Sequence, residues 1–255
     1  MTPIAEAVVL LAGEGSRLRG ADTTVLKPFV PVLGQPLISH TIDALIRAGI
    51  QKLRFVVGYE SKRVIAETRR LLNASLDASF IENRDWQKQN GISLLAAADC
   101  VATPFLLTMG DHLFDEAVIR LLLDRAQPDL LNIAIDRKLD SIFDLQDAMK
   151  VQTQGSQVRA IGKHLTDYDA IDTGLFVSPR EIFNYLEEAR SRNPVGDCSL
   201  ADGIRLMAGS GKVRAIDIGD SWWQDVDTPQ MLEHAERKLA EAQRLSRNAV
   251  TCHGP

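Results

Sequence analysis

At 255 residues the chain can bury a real core without disulfide or metal staples, as one large domain or two small ones. With 45% hydrophobic and 25% charged residues it has the make-up of a soluble globular protein, and its net charge of −5 excludes a broad basic surface for nucleic acid or an anionic membrane. Cys100, Cys198 and Cys252 are scattered, with no C-x-x-C pair, which excludes a disulfide framework and a zinc site and points to a reduced, cytoplasmic setting.

The first residues, Met1 to Glu6, carry no basic region and no cleavage pattern, so no signal peptide is visible. Ala7 to Leu11 is a continuous apolar run ending at glycines, as expected of a strand buried on both faces. No apolar run approaches the roughly 18 residues that suggest a membrane span. Leu37 to Ala48 has a helical stripe of Ile38, Ile42, Leu45 and Ile46, stopped by Gly49. Leu53 to Val57 is a second strand, and Ser61 is placed to cap a helix carrying Val64, Ile65, Leu71 and Leu72. A strand at Ala78 to Ile81, a helix at Ile92 to Cys100 and a strand at Phe105 to Met109 follow. Asp115 then caps a helix, and Leu130 to Ile135 is a fifth strand. This alternation predicts βαβ units, hence an α/β, Rossmann-like fold with a mostly parallel central sheet flanked by helices.

After about residue 140 the pattern changes. Gly155-Ser156 sits between two extended runs as a hairpin turn, Ala170 to Ser178 is a strand, and Pro179 opens a helix. Ser199 caps another helix, Val213 to Ile218 is a strand, and Thr228-Pro229 starts the last helix. No linker divides the halves. The expectation is a single domain over 1–247, with a nucleotide-binding half to about 140, a smaller α+β acceptor-binding half over 141–247, and a frayed tail over 248–255.

Ligands of such sheets bind at the carboxyl ends of the strands, so the loops from Gly13 and from Gly110 are the first suspects. In Gly13-Glu14-Gly15-Ser16-Arg17-Leu18 the glycines let backbone N–H groups approach phosphate oxygens, and Arg17 adds a bidentate cation. Leu18 stands where a dinucleotide fingerprint needs its third glycine, and no Gly-Lys-Ser/Thr follows, so neither familiar phosphate loop fits.

The loop does not stand alone. Leu10-Leu11-Ala12-Gly13-Glu14-Gly15-Ser16-Arg17-Leu18, then Lys27-Pro28, then Pro31-Val32-Leu33-Gly34-Gln35-Pro36-Leu37-Ile38 resemble, in order, the signature of the sugar-phosphate nucleotidyltransferase family. The resemblance reaches about Leu239. Leu11 departs from the alanine usual in that family, and Val25-Leu26 from the small polar residues usual before the lysine. The resemblance implies that Leu11, Ala12, Gly13, Glu14, Gly15 and Ser16 bind the nucleotide, and that Arg17, Lys27 and Lys163 are the catalytic cations, with Lys163 meeting the acceptor phosphate. It implies Mg²⁺ held by Asp111 and Asp227. Asp225 competes as second ligand, because in an extended Asp-Val-Asp both acids share a face; Asp227 is preferred because Thr-Pro follows it directly.

Three further segments, Glu82 to Trp86 with Asn90 to Leu94, Ala170 to Phe176, and Trp223 to Pro229, resemble inositol-1-phosphate cytidylyltransferases, the group that makes CDP-inositol. The implied partners are CTP and a small phosphorylated polyol. Asn90, Gly91 and Ser93 would face the cytosine, and Asp172, Thr173 and Gly174 the polyol. Relatives are often fused to a membrane phosphatidyltransferase-type domain; this chain would be a stand-alone form or one part of such a protein. A hexose-1-phosphate or phosphocholine nucleotidyltransferase is the alternative, although 5% aromatic residues leave little for a choline cage. A non-catalytic ligand sensor would be expected to have lost an acid or a cation, and none is lost here. Oligomeric state is not legible.

Overall fold

The computed structural model describes residues 4–19, 24–102 and 104–251. The first strand, β1 (Glu6–Leu11), is buried along its whole length and leads into the glycine loop, a one-turn helix α1 (Ser16–Arg19) and a 3-10 turn at Lys27–Phe29. A small ladder of β2 (Pro31–Val32) and β3 (Gln35–Pro36) precedes α2 (Leu37–Arg47). Then come β4 (Lys52–Val57), α3 (Ser61–Leu71), β5 (Asp77–Glu82), α4 (Asn90–Leu95), β6 (Phe105–Met109), β7 (His112–Phe114), α5 (Glu116–Arg125) and β8 (Leu131–Asp136). The later part holds β9 (Lys150–Gln154), β10 (Gln157–Gly162), β11 (Ala170–Ser178), α6 (Ile182–Arg192), α7 (Leu200–Gly209), β12 (Val213–Asp217), β13 (Trp223–Asp225) and α8 (Pro229–Thr251).

Nine strands form one twisted sheet in the order β5-β4-β1-β6-β11-β8-β12-β10-β9. Pairing is parallel from β5 to β6 and between β8 and β12, whereas β11 runs antiparallel to both β6 and β8. The sheet is therefore mixed. The α/β layering expected from the alternation of elements is present, and the antiparallel pairings of this sheet, those of β11 together with β10 on β12 and β9, all involve strands from the later half of the chain.

Side chains of β1 alternate between two cores, as a period of two requires. Val8 and Leu10 meet Ile92, Leu94, Ile182 and Ile204 from the helices on one face. Ala7, Val9 and Leu11 meet Ile38, Leu45, Val64 and Val118 on the other. A third, smaller cluster of Leu18, Val32, Leu37, Leu113, Val226 and Ala235 seats the last helix beside the glycine loop.

Several caps agree with the residue pattern. Asp115 accepts from Ala117 N at 3.3 Å, and Thr228 Oγ1 from Met231 N at 3.3 Å. Ser199 and Asp202 form a reciprocal capping box. Ser61, expected as a cap, is instead the first residue of α3; Glu60 before it is left-handed at φ 50°, and the Ser61 hydroxyl donates to Glu82 Oε1 at 2.8 Å. The helix expected from Pro179 begins at Ile182. The helix expected over Ile92 to Cys100 is Asn90–Leu95 followed by turns, for Ala97 N and Ala98 N bond three residues back. The last helix continues to Thr251, through the start of the segment expected to fray; 252–255 lie outside the described residues. Among the described residues no helix is long and apolar enough to cross a membrane.

Candidate active site

Strands β1 and β6 are neighbours in register, Leu10 opposite Met109, so the loops that follow them open at the same end of the sheet. Gly15 has φ +66°, a conformation costly for any residue with a Cβ. A Cβ there would also lie 2.4 Å from Lys27 Cβ. The glycine thus lets the Lys27 stem pass under the loop. Lys27 is buried in its 3-10 turn and sends its ammonium to the strand ends.

The two acids come together through a pairing too short to be seen as a pattern in sequence. β13 lies antiparallel to β7, with Asp225 opposite His112 and Val226 N donating to Asp111 O at 2.9 Å. The next residue, Asp227, therefore comes to the same ammonium as Asp111. Lys27 Nζ donates to Asp111 Oδ2 at 2.5 Å and to Asp227 Oδ1. Arg17 donates to Asp227 Oδ2 at 2.6 Å and to Asp147 Oδ2 at 3.2 Å, and Lys163 Nζ donates to Asp147 Oδ1 at 2.6 Å. His112 Nδ1 lies 2.7 Å from Asp111 Oδ1. The result is an unbroken row of alternating charge, Lys163–Asp147–Arg17–Asp227–Lys27–Asp111–His112.

Electrostatics follow from this row. Burial alone would raise the Asp111 carboxyl, but the charges of Lys27 and His112 pull it well below the usual carboxylate range. Burial would lower the Lys27 ammonium and the His112 imidazolium, yet their carboxylate neighbours raise both. Asp227 raises Arg17. Asp225, half-buried and close to Asp227 and Asp111, is raised by desolvation and these like charges despite His112. Asp172 is pushed up to about 7 by desolvation, against the opposing effects of the Gly174 N–H and His112.

A cavity of about 800 Å³ opens beside the row, and a recess of about 230 Å³ lies under the glycine loop. Leu11, Gly15, Ser16 and Lys27 line the recess; Ala12, Asn90, Ser93, Lys163, Asp172, Gly174 and Asp225 line the cavity; Gly13, Arg17, Asp111 and Asp227 line both. Three of the residues expected here lie elsewhere. Glu14 is exposed and lines neither space. Thr173, next to Asp172 on a strand, points to the opposite face and donates to Ala134 O at 2.9 Å. Gly91 is a packing residue: a Cβ would lie 2.6 Å from Cys198 O in the turn before α7.

On the far wall β11 shifts register between Asp172 and Phe176, and Gly174 has φ +74°. A Cβ there would fall 2.5 Å from the His112 ring, which fills the space instead and lies near-parallel to Trp223 at 6.1 Å. The residue pattern missed Asp147, Asp136 and Lys138. Asp136 accepts from Trp223 Nε1 at 3.0 Å and pairs with Lys138 at 2.9 Å. Its place at the carboxyl end of β8 was a usable signal, by the rule that flagged Gly13 and Gly110. Asp147 lies in an irregular stretch with no such signal.

A sheet of this kind with cations gathered at its strand ends is a nucleotidyltransferase framework. Residues 7–171 match the MobA-like NTP transferase domain, and the chain belongs to that family. It is 34% identical, over 91% of its length, to a protein of Thermococcus kodakarensis described as a bifunctional IPC transferase and DIPP synthase, and 32% identical over 91% to one of Rubrobacter xylanophilus described likewise. The chain spans about half the length of these curated relatives, 50% and 51% respectively. Among solved structures, the inositol-1-phosphate CTP transferase from T. maritima superposes with a TM-score of 0.81 at 25% identity, covering 94% of this chain and 97% of that one.

Proposed function

We propose that this chain transfers a cytidylyl group from CTP to inositol-1-phosphate. An acceptor phosphate oxygen bonds to the α-phosphorus in line, the bond from that phosphorus to the bridging oxygen breaks, and pyrophosphate leaves with its electron pair. The observation that carries this reading is the row of cations and carboxylates running from the recess under the glycine loop to the cavity lined by Lys163 and Asp172. It offers separate positive charge to each anionic reactant. The similarity to IPC transferases and to the inositol-1-phosphate CTP transferase supports the choice of substrates.

In this reading the N–H groups of the glycine loop and the Lys27 ammonium hold the triphosphate, Arg17 lies between the two reactants, and Lys163 takes the acceptor phosphate. That phosphate is already ionised at neutral pH, so no general base is needed; orientation and charge neutralisation do the chemistry. The Asn90 carbonyl is committed to Leu200 N at 2.8 Å, which leaves its NH₂ group to donate to acceptors on the base edge. Ser93 Oγ accepts from Asn83 at 3.0 Å, which leaves its own proton free to donate. Asp172 and Asp225 accept from polyol hydroxyls.

Asp111 and Asp227 fit Mg²⁺. Both reach the Lys27 ammonium, so an oxygen of each converges on one point, which Mg²⁺ would take once Lys27 turns to the triphosphate, and an all-oxygen pair completed by phosphates and water suits that ion. Bound there, Mg²⁺ would neutralise charge on the triphosphate and pyrophosphate. The free cysteines Cys100 and Cys198 accord with a reducing cytoplasm.

The test is a pairwise screen. The protein is mixed with Mg²⁺, each nucleoside triphosphate in turn, and inositol-1-phosphate, glucose-1-phosphate or phosphocholine, and pyrophosphate release is measured. CTP with inositol-1-phosphate is expected to be the fastest pair; parity with the other pairs overturns the assignment. Asp111→Asn is expected to abolish turnover in a protein that circular dichroism reports as folded.

A further inference from the structure

Asp147 holds Lys163, which the reading above gives to the acceptor phosphate, and Arg17, which it sets between the two reactants. Its Oδ1 takes Lys163 and its Oδ2 takes Arg17, so one carboxylate spans two residues that are far apart in the chain. We propose that Asp147 is a resident anion: it occupies the seat of the acceptor's phosphate until the acceptor displaces it. This inference rests on the proposed function, since it takes the acceptor to be a phosphomonoester bound at Arg17 and Lys163.

Three features make the carboxylate displaceable. First, the partners are open to water, with Arg17 61%, Lys163 44% and Asp147 45% exposed, so the bridge is weak. A phosphomonoester brings more charge and three oxygens to the same two cations. Second, the backbone is fixed on both sides. Buried Lys150 donates to Gln146 O at 3.0 Å, Ala148 O at 3.3 Å and Lys163 O at 2.9 Å. That ammonium ties the carbonyls flanking Asp147 to the backbone of Lys163, so exchange needs only a turn of the Asp147 side chain. Third, Asp147 belongs to the stretch between β8 and β9 that walls the cavity, where Phe143 rests on the His234 ring of α8 at 5.0 Å. The hydrogen bond from Lys163, and then that from Arg17, hold its carboxyl below the usual carboxylate range, so the resident charge persists at neutral pH.

The consequence is a threshold on acceptor affinity. A seat filled by Asp147 about nine-tenths of the time weakens the apparent affinity of the acceptor about tenfold. An acceptor carrying a hydroxyl instead of a phosphate gains nothing from the cations and does not displace the carboxylate.

The experiment compares the full chain with Asp147→Asn and Asp147→Glu. KM for inositol-1-phosphate is read at saturating CTP, and its Kd by calorimetry. Asp147→Asn is expected to lower both about tenfold, with KM for CTP little changed, and Asp147→Glu to restore the wild-type value. An unchanged or raised acceptor KM in the Asn variant overturns the proposal. If the unaltered chain turns over no substrate pair, the proposed function fails, and inorganic phosphate becomes the probe. Tighter phosphate binding by Asp147→Asn still supports the resident anion, and equal binding refutes it.

Discussion

Lys27 is the residue on which the site's charge balance turns. Its side chain is 10% exposed, and it separates two carboxylates that would otherwise face each other with no cation directly between them. Removing one partner of a buried pair typically costs 3–5 kcal/mol. Here the acids stay 27% and 21% open to water, so Lys27→Met is expected to lose about 3 kcal/mol, the low end, in urea denaturation. If the acids are the Mg²⁺ seat, added Mg²⁺ raises the midpoint of the variant more than that of the unaltered chain, because a ligand that binds only the folded state stabilises it. Equal shifts would remove the metal from this pair. The sign with pH is fixed as well. Asp111 is held below its unfolded value, so its share of stability is present above about pH 4 and is lost as pH falls further. At this scale the sequence was readable wherever a residue sat in an ordered motif. Arg17, Lys27, Asp111 and Asp227 were named from such motifs, and the structure brings their side chains together. Thr173 was not separated from Asp172, although the period of a strand turns neighbours to opposite faces.

At the scale of elements, Gly91 shows how packing reverses a propensity. An alanine in a helix is ordinarily favoured over glycine by roughly 0.5–1 kcal/mol. In α4 a new Cβ would meet Cys198 O at 2.6 Å and Ser199 C at 2.8 Å, both backbone atoms at the start of α7. Backbone held by a capping box cannot move aside cheaply. Gly91→Ala is therefore expected to destabilise by about 1–3 kcal/mol, measured as a lower urea midpoint with unchanged slope. A neutral or higher midpoint would mean that α4 and α7 slide freely. The apolar stripe of α2 and the continuous apolar runs of β1 and β6 were legible from residues alone. The β7/β13 ladder was not, because strands of three residues have no period to read, yet this pairing brings Asp111 and Asp227 together. The short 3-10 turn that carries Lys27 was hidden for the same reason.

For the whole molecule, the net charge of −5 and the local cations coexist because the row at the strand ends pairs each cation with a carboxylate. The sheet order shows why the expected nucleotide and acceptor halves cannot be separate bodies. β8, from before residue 140, pairs with β11 and β12 from after it, and β11 stands between β8 and β6. All six residues of β8 are buried, so cutting the chain near 140 would strip this apolar strand of both its partners. Such interleaving makes the later half depend on the earlier half for its folding, and predicts one cooperative transition. Trp86 lies in the early part of the chain and Trp222 and Trp223 in the late part, so tryptophan fluorescence samples both. Fluorescence and far-ultraviolet circular dichroism are expected to trace superimposable urea curves, and a fragment of residues 1–140 to show no cooperative unfolding. Two resolved transitions, or a fragment that unfolds cooperatively, would show that the halves are independent despite sharing a sheet.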